Sequence, residues 1–188
     1  MKPEEKARVK IDQWLTEAGW KVINRDEFEA DSSAVAVREG LLKGNREADY
    51  FLFINGKAVG ILEAKREEID ANKGVVCDQV EAYARGVPSY YTAYQKPIPF
   101  LYTSNGKQHY FHDFRKKDSG YEEIFVMHKP KKLVEMLGIE DPFAGLPTLN
   151  PKGLRACQYE AITGLEKSFR NGQNRALMVL ATGAGKTY

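Results

Sequence analysis

Two carboxylates and a lysine stand at the outer ends of two apolar runs. Asp49 precedes Tyr50-Phe51-Leu52-Phe53-Ile54, and Glu63-Ala64-Lys65 follows Ala58-Val59-Gly60-Ile61-Leu62, with Asn55-Gly56 between the runs. Apolar runs around Asn-Gly are a strong hairpin signal. Antiparallel pairing then brings Asp49 and Glu63 together at the end away from the turn. Two carboxylates at one end of a sheet can hold a hard divalent cation by oxygen ligation. Such a cation polarises a phosphoryl oxygen and lowers the pKa of a bound water. Lys65 can orient a water or offset charge growing on a phosphate. These parts suit phosphodiester hydrolysis. The plainer reading, ordinary strand-end charges, must meet the cost of a charge on an apolar strand that is neither paired nor metal-bound.

The register of this hairpin decides whether the chemistry is possible. With a two-residue Asn55-Gly56 turn, Ile54 pairs with Lys57 and Asp49 faces Leu62. Side chains alternate along a strand, so Asp49 and Glu63 would then point to opposite sides of the sheet. A shared cation therefore requires either a three-residue loop, with Gly56 at positive φ, or one bulge, near Ala64 or before Asp49.

A second group of residues lies near the other end of the chain. Ala176-Leu177-Met178-Val179-Leu180 reads as a buried strand, and Ala181-Thr182-Gly183-Ala184-Gly185-Lys186-Thr187 follows it. A strand feeding a glycine-rich turn and Gly-Lys-Thr is the phosphate-loop arrangement, in which backbone N–H groups cradle phosphates. Lys186 would reach the β- and γ-phosphates of ATP and Thr187 would ligand Mg²⁺. Leu180 stands where the common pattern has its first glycine.

Other elements must carry these groups. Ala7, Ile11, Trp14, Leu15 and Ala18 recur at helical spacing, with Pro3 suited to the first turn and Gly19 to the stop. Short strands are expected at 20–23 and 34–37, and 38–47 reads as a charged loop. Residues 74–85 read as a helix with Val76, Val80, Tyr83 and Ala84 on one side. A second hairpin is expected from 99–103 and 109–112, and helices at 131–137 and 155–169. His109 and His112 flank an aromatic strand and either touch DNA or sit half-buried in the sheet. Both hairpin strands are apolar on both faces, so the sheet should be covered on both sides. Three prolines, Pro142, Pro147 and Pro151, mark a boundary.

Composition narrows the class. The chain has 188 residues, 43% of them hydrophobic, enough for a buried core. Its 28 basic and 26 acidic side chains leave a net charge of +2, so any nucleic-acid site must be a local patch. Lys43, Arg46, Lys65 and Arg66 could supply one. No apolar run is long enough to span a membrane. Cys77 and Cys157 are isolated, which excludes a disulfide framework or cysteine zinc site. A cytoplasmic location is the expectation.

The segments Arg46-Glu47-Ala48-Asp49-Tyr50 and Ile61-Leu62-Glu63-Ala64-Lys65-Arg66, with Gln79 and Tyr83 one helical turn apart, resemble the PD-(D/E)xK nuclease core of the restriction subunit of type I restriction–modification enzymes. Ala48 replaces the proline of the pattern's name. The Thr182-Gly183-x-Gly185-Lys186-Thr187 motif resembles that of superfamily 2 motors, and Leu154 to Ile162 resembles their upstream element, in which Gln158 would read adenine. The order, nuclease then motor, is also that of the restriction subunit. The resemblance implies an α/β restriction-endonuclease-like core, a mixed sheet flanked by helices, over 1–141, a linker over 142–151, and the start of a RecA-like motor over 152–188. It implies Mg²⁺-dependent cleavage of double-stranded DNA coupled to ATP-driven translocation, with methylation and specificity subunits as partners. Asp49 and Glu63 would bind the metal, Lys65 would assist the attack, and Gln79 and Tyr83 would position DNA or the lysine. Glu4 either reaches the metal or is solvated at its helix start. Another nuclease–helicase of defence or repair, or a nuclease-like domain that only docks DNA or a partner, are the alternatives. The chain stops just past the Gly-Lys-Thr motif and reads as a piece of a longer protein.

Overall fold

The structure is a computed structural model that describes residues 3–29, 34–44, 46–116, 118–139, 149–170 and 176–185. Its centre is a seven-stranded sheet whose spatial order follows the chain, β1 (Lys21–Ile23), β2 (Ala34–Leu41), β3 (Glu47–Ile54), β4 (Lys57–Ala64), β5 (Phe100–Ser104), β6 (His109–Asp113) and β7 (Glu122–Glu123). The sheet is mixed. β1 pairs parallel to β2 and β4 parallel to β5, while the remaining neighbours are antiparallel. The parallel step from β4 to β5 needs a crossover, which α2 (Gly74–Arg85) provides.

Two layers cover the sheet. On one face Val80, Tyr83 and Ala84 of α2 pack on Val35, Val37, Phe51, Phe53, Ile61 and Leu101. On the other, Ile11 and Leu15 of α1 (Pro3–Glu17) and Leu133 of α3 (Pro130–Met136) pack on Ala36, Tyr50, Leu52, Leu62 and Tyr102. Burial on both faces explains why β3 and β4 read as continuous apolar runs. α1 ends as its sequence predicts, with Gly19 at φ 93° and the Trp20 N–H donating to the Leu15 carbonyl.

The β3–β4 hairpin has a two-residue turn, with Asn55 at φ 50° and Gly56 at φ 70°, the primed turn that suits strand twist. Ile54 pairs with Lys57 and Phe53 with Ala58, but Leu52 pairs with Gly60. Val59 is therefore an extra residue, a bulge close to the turn rather than at the ends the sequence suggested. Beyond it the alternation of β4 reverses: Ala58 and Ile61 face α2, whereas Val59 and Leu62 face α1. Gly60 suits this place, because a Cβ would crowd both Leu52 Cδ1 and the Phe100 carbonyl oxygen at 3.0 Å.

Two expectations are corrected. The stretch 38–47 is not all loop, since β2 continues to Leu41 and pairs with β3 down to Glu47. Its charged residues hid the strand; Arg38 is held by a two-pronged contact to Asp12 of α1. Residues 176–180 are not a buried strand. They form no ladder, and Leu177 is 89% exposed. A buried parallel strand needs neighbours and covered faces, and among the described residues no strand pairs with this run. α4 (Ala156–Arg170) precedes it as expected. The proposed linker falls largely on 140–148, outside the described residues.

Of the sheet histidines, His112 is buried and His109 is half-buried. His109 stacks on Trp14 with ring centroids 3.8 Å apart, and its Nδ1 shares a 2.8 Å hydrogen bond with Ser104 Oγ. Burial lowers its pKa from 6.5 to about 4. The unfolded chain thus binds this proton more readily, so the contribution is whole above about pH 6.5 and is lost as pH falls toward 4. His109→Phe is expected to show a smaller drop in Tm than wild type between about pH 7 and pH 5. Equal drops would disconnect His109 from acid sensitivity.

Candidate active site

With the bulge in place the two carboxylates come to one pocket, Glu63 on the side of α2 through Gln79 and Asp49 in reach of Arg8 from α1. Continuing the β3–β4 register sets Asp49 opposite Glu63, and the Ala64 N–H donates to Asp49 Oδ2 at 2.8 Å. The two carboxyl groups lie close enough for the charge of Asp49 to act on Glu63. Asp49 and Glu63, with Arg8, Ala64 and Lys65, line a pocket of about 170 Å³.

Glu63 is the deeper of the two. Its Oε1 accepts from Lys65 Nζ at 2.6 Å and from Gln79 Nε2 at 2.8 Å. Burial, reinforced by the neighbouring Asp49 charge, pushes its pKa up to about 7 against the pull of Lys65. Gln79 and Tyr83 lie one turn apart on α2 and so reach the same place. Gln79 Oε1 accepts from Lys65 Nζ at 3.0 Å, and Gln79 Nε2 also donates to Tyr83 Oη. A tyrosine, a glutamine, a lysine and a glutamate thus form one chain of hydrogen bonds that ends in the pocket.

The donor set fits a magnesium-like ion. Among the described residues no cluster of three or more His, Cys, Asp or Glu could form a protein cage. Two carboxylates in an open pocket match a cation that keeps several waters and takes the remaining oxygens from a phosphate. Glu4 lies in the first turn of α1, but its side chain is outside the described residues.

Nothing in the sequence assigns a site role to Arg8 or Glu39. The Arg8 guanidinium donates to Asp49 Oδ1 and, at 3.1 Å, to Glu39 Oε1. No local spacing signals a contact between α1, β2 and β3. Of the proposed basic patch, Lys65 points into the pocket and Arg46 lies over the Tyr83 ring at 5.9 Å.

The glycine-rich turn is described through Gly185, with Gly183 at φ 84° and Gly185 at φ 76°. Gln158 Nε2 donates to the Gly185 carbonyl at 2.8 Å, and Arg155 donates to the Gly183 carbonyl. The structure thus brings Gln158 to the turn containing Thr182, Gly183 and Gly185. Lys186 and Thr187 lie outside the described residues.

The family model of the type I restriction enzyme EcoKI endonuclease subunit second domain matches residues 28–137. That of the type III restriction enzyme, res subunit, matches residues 151–188. The type I restriction enzyme EcoKI endonuclease subunit of Escherichia coli K12 is 29% identical over 245 residues, an alignment covering 98% of this chain and 20% of the relative. The EcoAI endonuclease subunit of Escherichia coli is 28% identical over 194 residues, covering 93% and 22%. A solved fragment assigned to the HsdR subunit of a type I restriction enzyme from Vibrio vulnificus YJ016 is 23% identical, covering 100% of this chain and 36% of that one, with a TM-score of 0.45. The chain spans about a fifth of the length of the curated relatives it matches.

Proposed function

Because the chain belongs to the family of type I restriction enzyme endonuclease subunits, we propose that residues 1–141 are its PD-(D/E)xK nuclease core and cut double-stranded DNA with Mg²⁺. The observation that carries this reading is the Asp49–Glu63 pair, set side by side in a pocket with Lys65 hydrogen-bonded to Glu63. Strand-end carboxylates with no ligand to hold would be better placed apart or in solvent.

Asp49 and Glu63 would hold the cation. When bound, it supplies a Lewis acid for the phosphoryl oxygen and a water of lowered pKa. Lys65 brings an ammonium group to the pocket wall, where it orients the attacking water or offsets charge growing on the phosphate. Gln79 fixes both Lys65 and Glu63, and Tyr83 fixes Gln79. These two act by positioning. Arg46, beside Tyr83, lies where a backbone phosphate could be met.

Residues 152–188 would open a RecA-like motor. The family match over 151–188 supports this. Thr182, Gly183, Gly185, Lys186 and Thr187 would then cradle the phosphates of ATP, and Gln158 would lie beside them reading adenine. In the whole enzyme, ATP-driven translocation would be coupled to cleavage, with methylation and specificity subunits choosing the DNA site, in the cytoplasm. No helix among the described residues is long and apolar enough to cross a membrane.

The test is cation removal in the assembled enzyme. Chelation of divalent ions is expected to stop plasmid linearisation, and added Mg²⁺ to restore it. Cleavage that persists in excess chelator would overturn the assignment.

A further inference from the structure

We infer that Arg8 is a positioning residue that occupies the cation seat until a divalent ion arrives, and that Glu39 is the anchor to which it withdraws. This rests on the reading of Asp49 and Glu63 as cation ligands. One Asp49 oxygen, Oδ2, is already committed to the Ala64 N–H. The other, Oδ1, receives the Arg8 guanidinium, which also lines the pocket. Arg8 therefore neutralises the carboxylate from the direction in which an ion would bind. Lys65, the pocket's other cationic side chain, is tied to both Glu63 and Gln79. Arg8 is tied more loosely. Its side chain is 38% exposed, it rises from α1 in the opposite layer, and its second partner Glu39 is 56% exposed.

The backbone at Glu39 is an independent observation. Its neighbours Arg38 and Gly40 pair with Tyr50 and Ala48, which sets Glu39 opposite Asp49. Glu39 nonetheless holds φ 54°, a left-handed conformation uncommon for a residue with a Cβ and foreign to a strand. Strained backbone of this kind gathers where a side chain is held for a task. Here the held carboxylate is the one that shares Arg8 with Asp49. A divalent ion beside Asp49 would repel the guanidinium, and Glu39 gives it a partner outside the pocket without loss of its ion pair.

The test is Mn²⁺ binding to the 188-residue chain, read from the free-ion paramagnetic resonance signal, with circular dichroism checking each fold. Arg8→Gln is expected to bind Mn²⁺ roughly tenfold tighter than wild type, because a repelling charge has gone. Arg8→Lys, which keeps the charge but loses the fork, should fall between them and serves if Arg8→Gln fails to fold. Glu39→Gln should bind more weakly, and in the Arg8→Gln background its effect should nearly vanish. Arg8→Gln affinity at or below that of wild type would overturn the inference, as would an undiminished Glu39→Gln effect in that background. Wild type and Arg8→Gln that both bind no Mn²⁺ would instead remove the cation-site reading, and this inference with it.

Discussion

Replacement of Asp49, Glu63 or Lys65 by alanine is expected to leave an assembled enzyme that hydrolyses ATP but has lost DNA cleavage, by roughly 10²–10³-fold or more for each. The three losses differ in origin. Asp49→Ala removes a carboxylate and frees the Ala64 N–H that it accepts. Glu63→Ala removes the oxygen on which Lys65 and Gln79 both converge. Lys65→Ala leaves both carboxylates in place and takes away the ammonium group, so cation binding should survive while turnover falls. That split between binding and rate separates a group that holds the ion from one that acts on the phosphate. Plasmid linearisation measured beside ATP hydrolysis reads both activities in one sample. Cleavage at the wild-type rate by all three variants would remove the nuclease assignment.

Phe51→Ala is expected to destabilise the fold by about 3–5 kcal/mol, the usual cost of deleting a fully enclosed aromatic ring. Phe51 is fully buried on the α2 side, with ring centroids 5.8 Å from Phe53 and 5.5 Å from Tyr91. Gly40 on the neighbouring strand makes room for it, since a Cβ there would overlap the ring. Rigid strands on both sides limit collapse around the resulting cavity, which places the cost at the upper end. Phe125, 84% exposed, is the control, and its alanine variant should fall within about 0.5 kcal/mol of wild type. Denaturant midpoints measure both. A Phe51→Ala midpoint equal to that of Phe125→Ala would contradict the two-layer packing.

The parts of the fold governed by local rules are the parts the sequence made legible. The Asn55-Gly56 turn, the span of α2 with Val76, Val80, Tyr83 and Ala84 inward, and the stop at Gly19 all follow from turn chemistry or period. The juxtaposition of Asp49 with Glu63 was legible as a condition: one irregularity was needed, and the structure supplies one. Its place at Val59 was not. A bulge is visible in a sequence when the polar face and the apolar face exchange, and this hairpin is apolar on both. Arg38 to Leu41 were missed for a related reason, because the charges of Arg38 and Glu39 are matched by Asp12 and Arg8 from a distant helix. Residues 176–180 have the composition of a strand, but a strand is a property of its neighbours as well. Arg8 reaches Asp49 across 41 positions, and helical spacing within α1 says nothing of that reach.

The bulge at Val59 also makes hairpin length a question of parity. A residue gained or lost between Asp49 and Glu63, if absorbed in the pairing, turns Glu63 and Lys65 toward the α1 layer and away from Gln79. Because the strands present apolar surface in both directions, the core would still find side chains to bury. Such a chain would be unable to place two carboxylates around one ion. Single-residue length changes in this hairpin therefore reverse the phase of the site, and changes of two residues restore it.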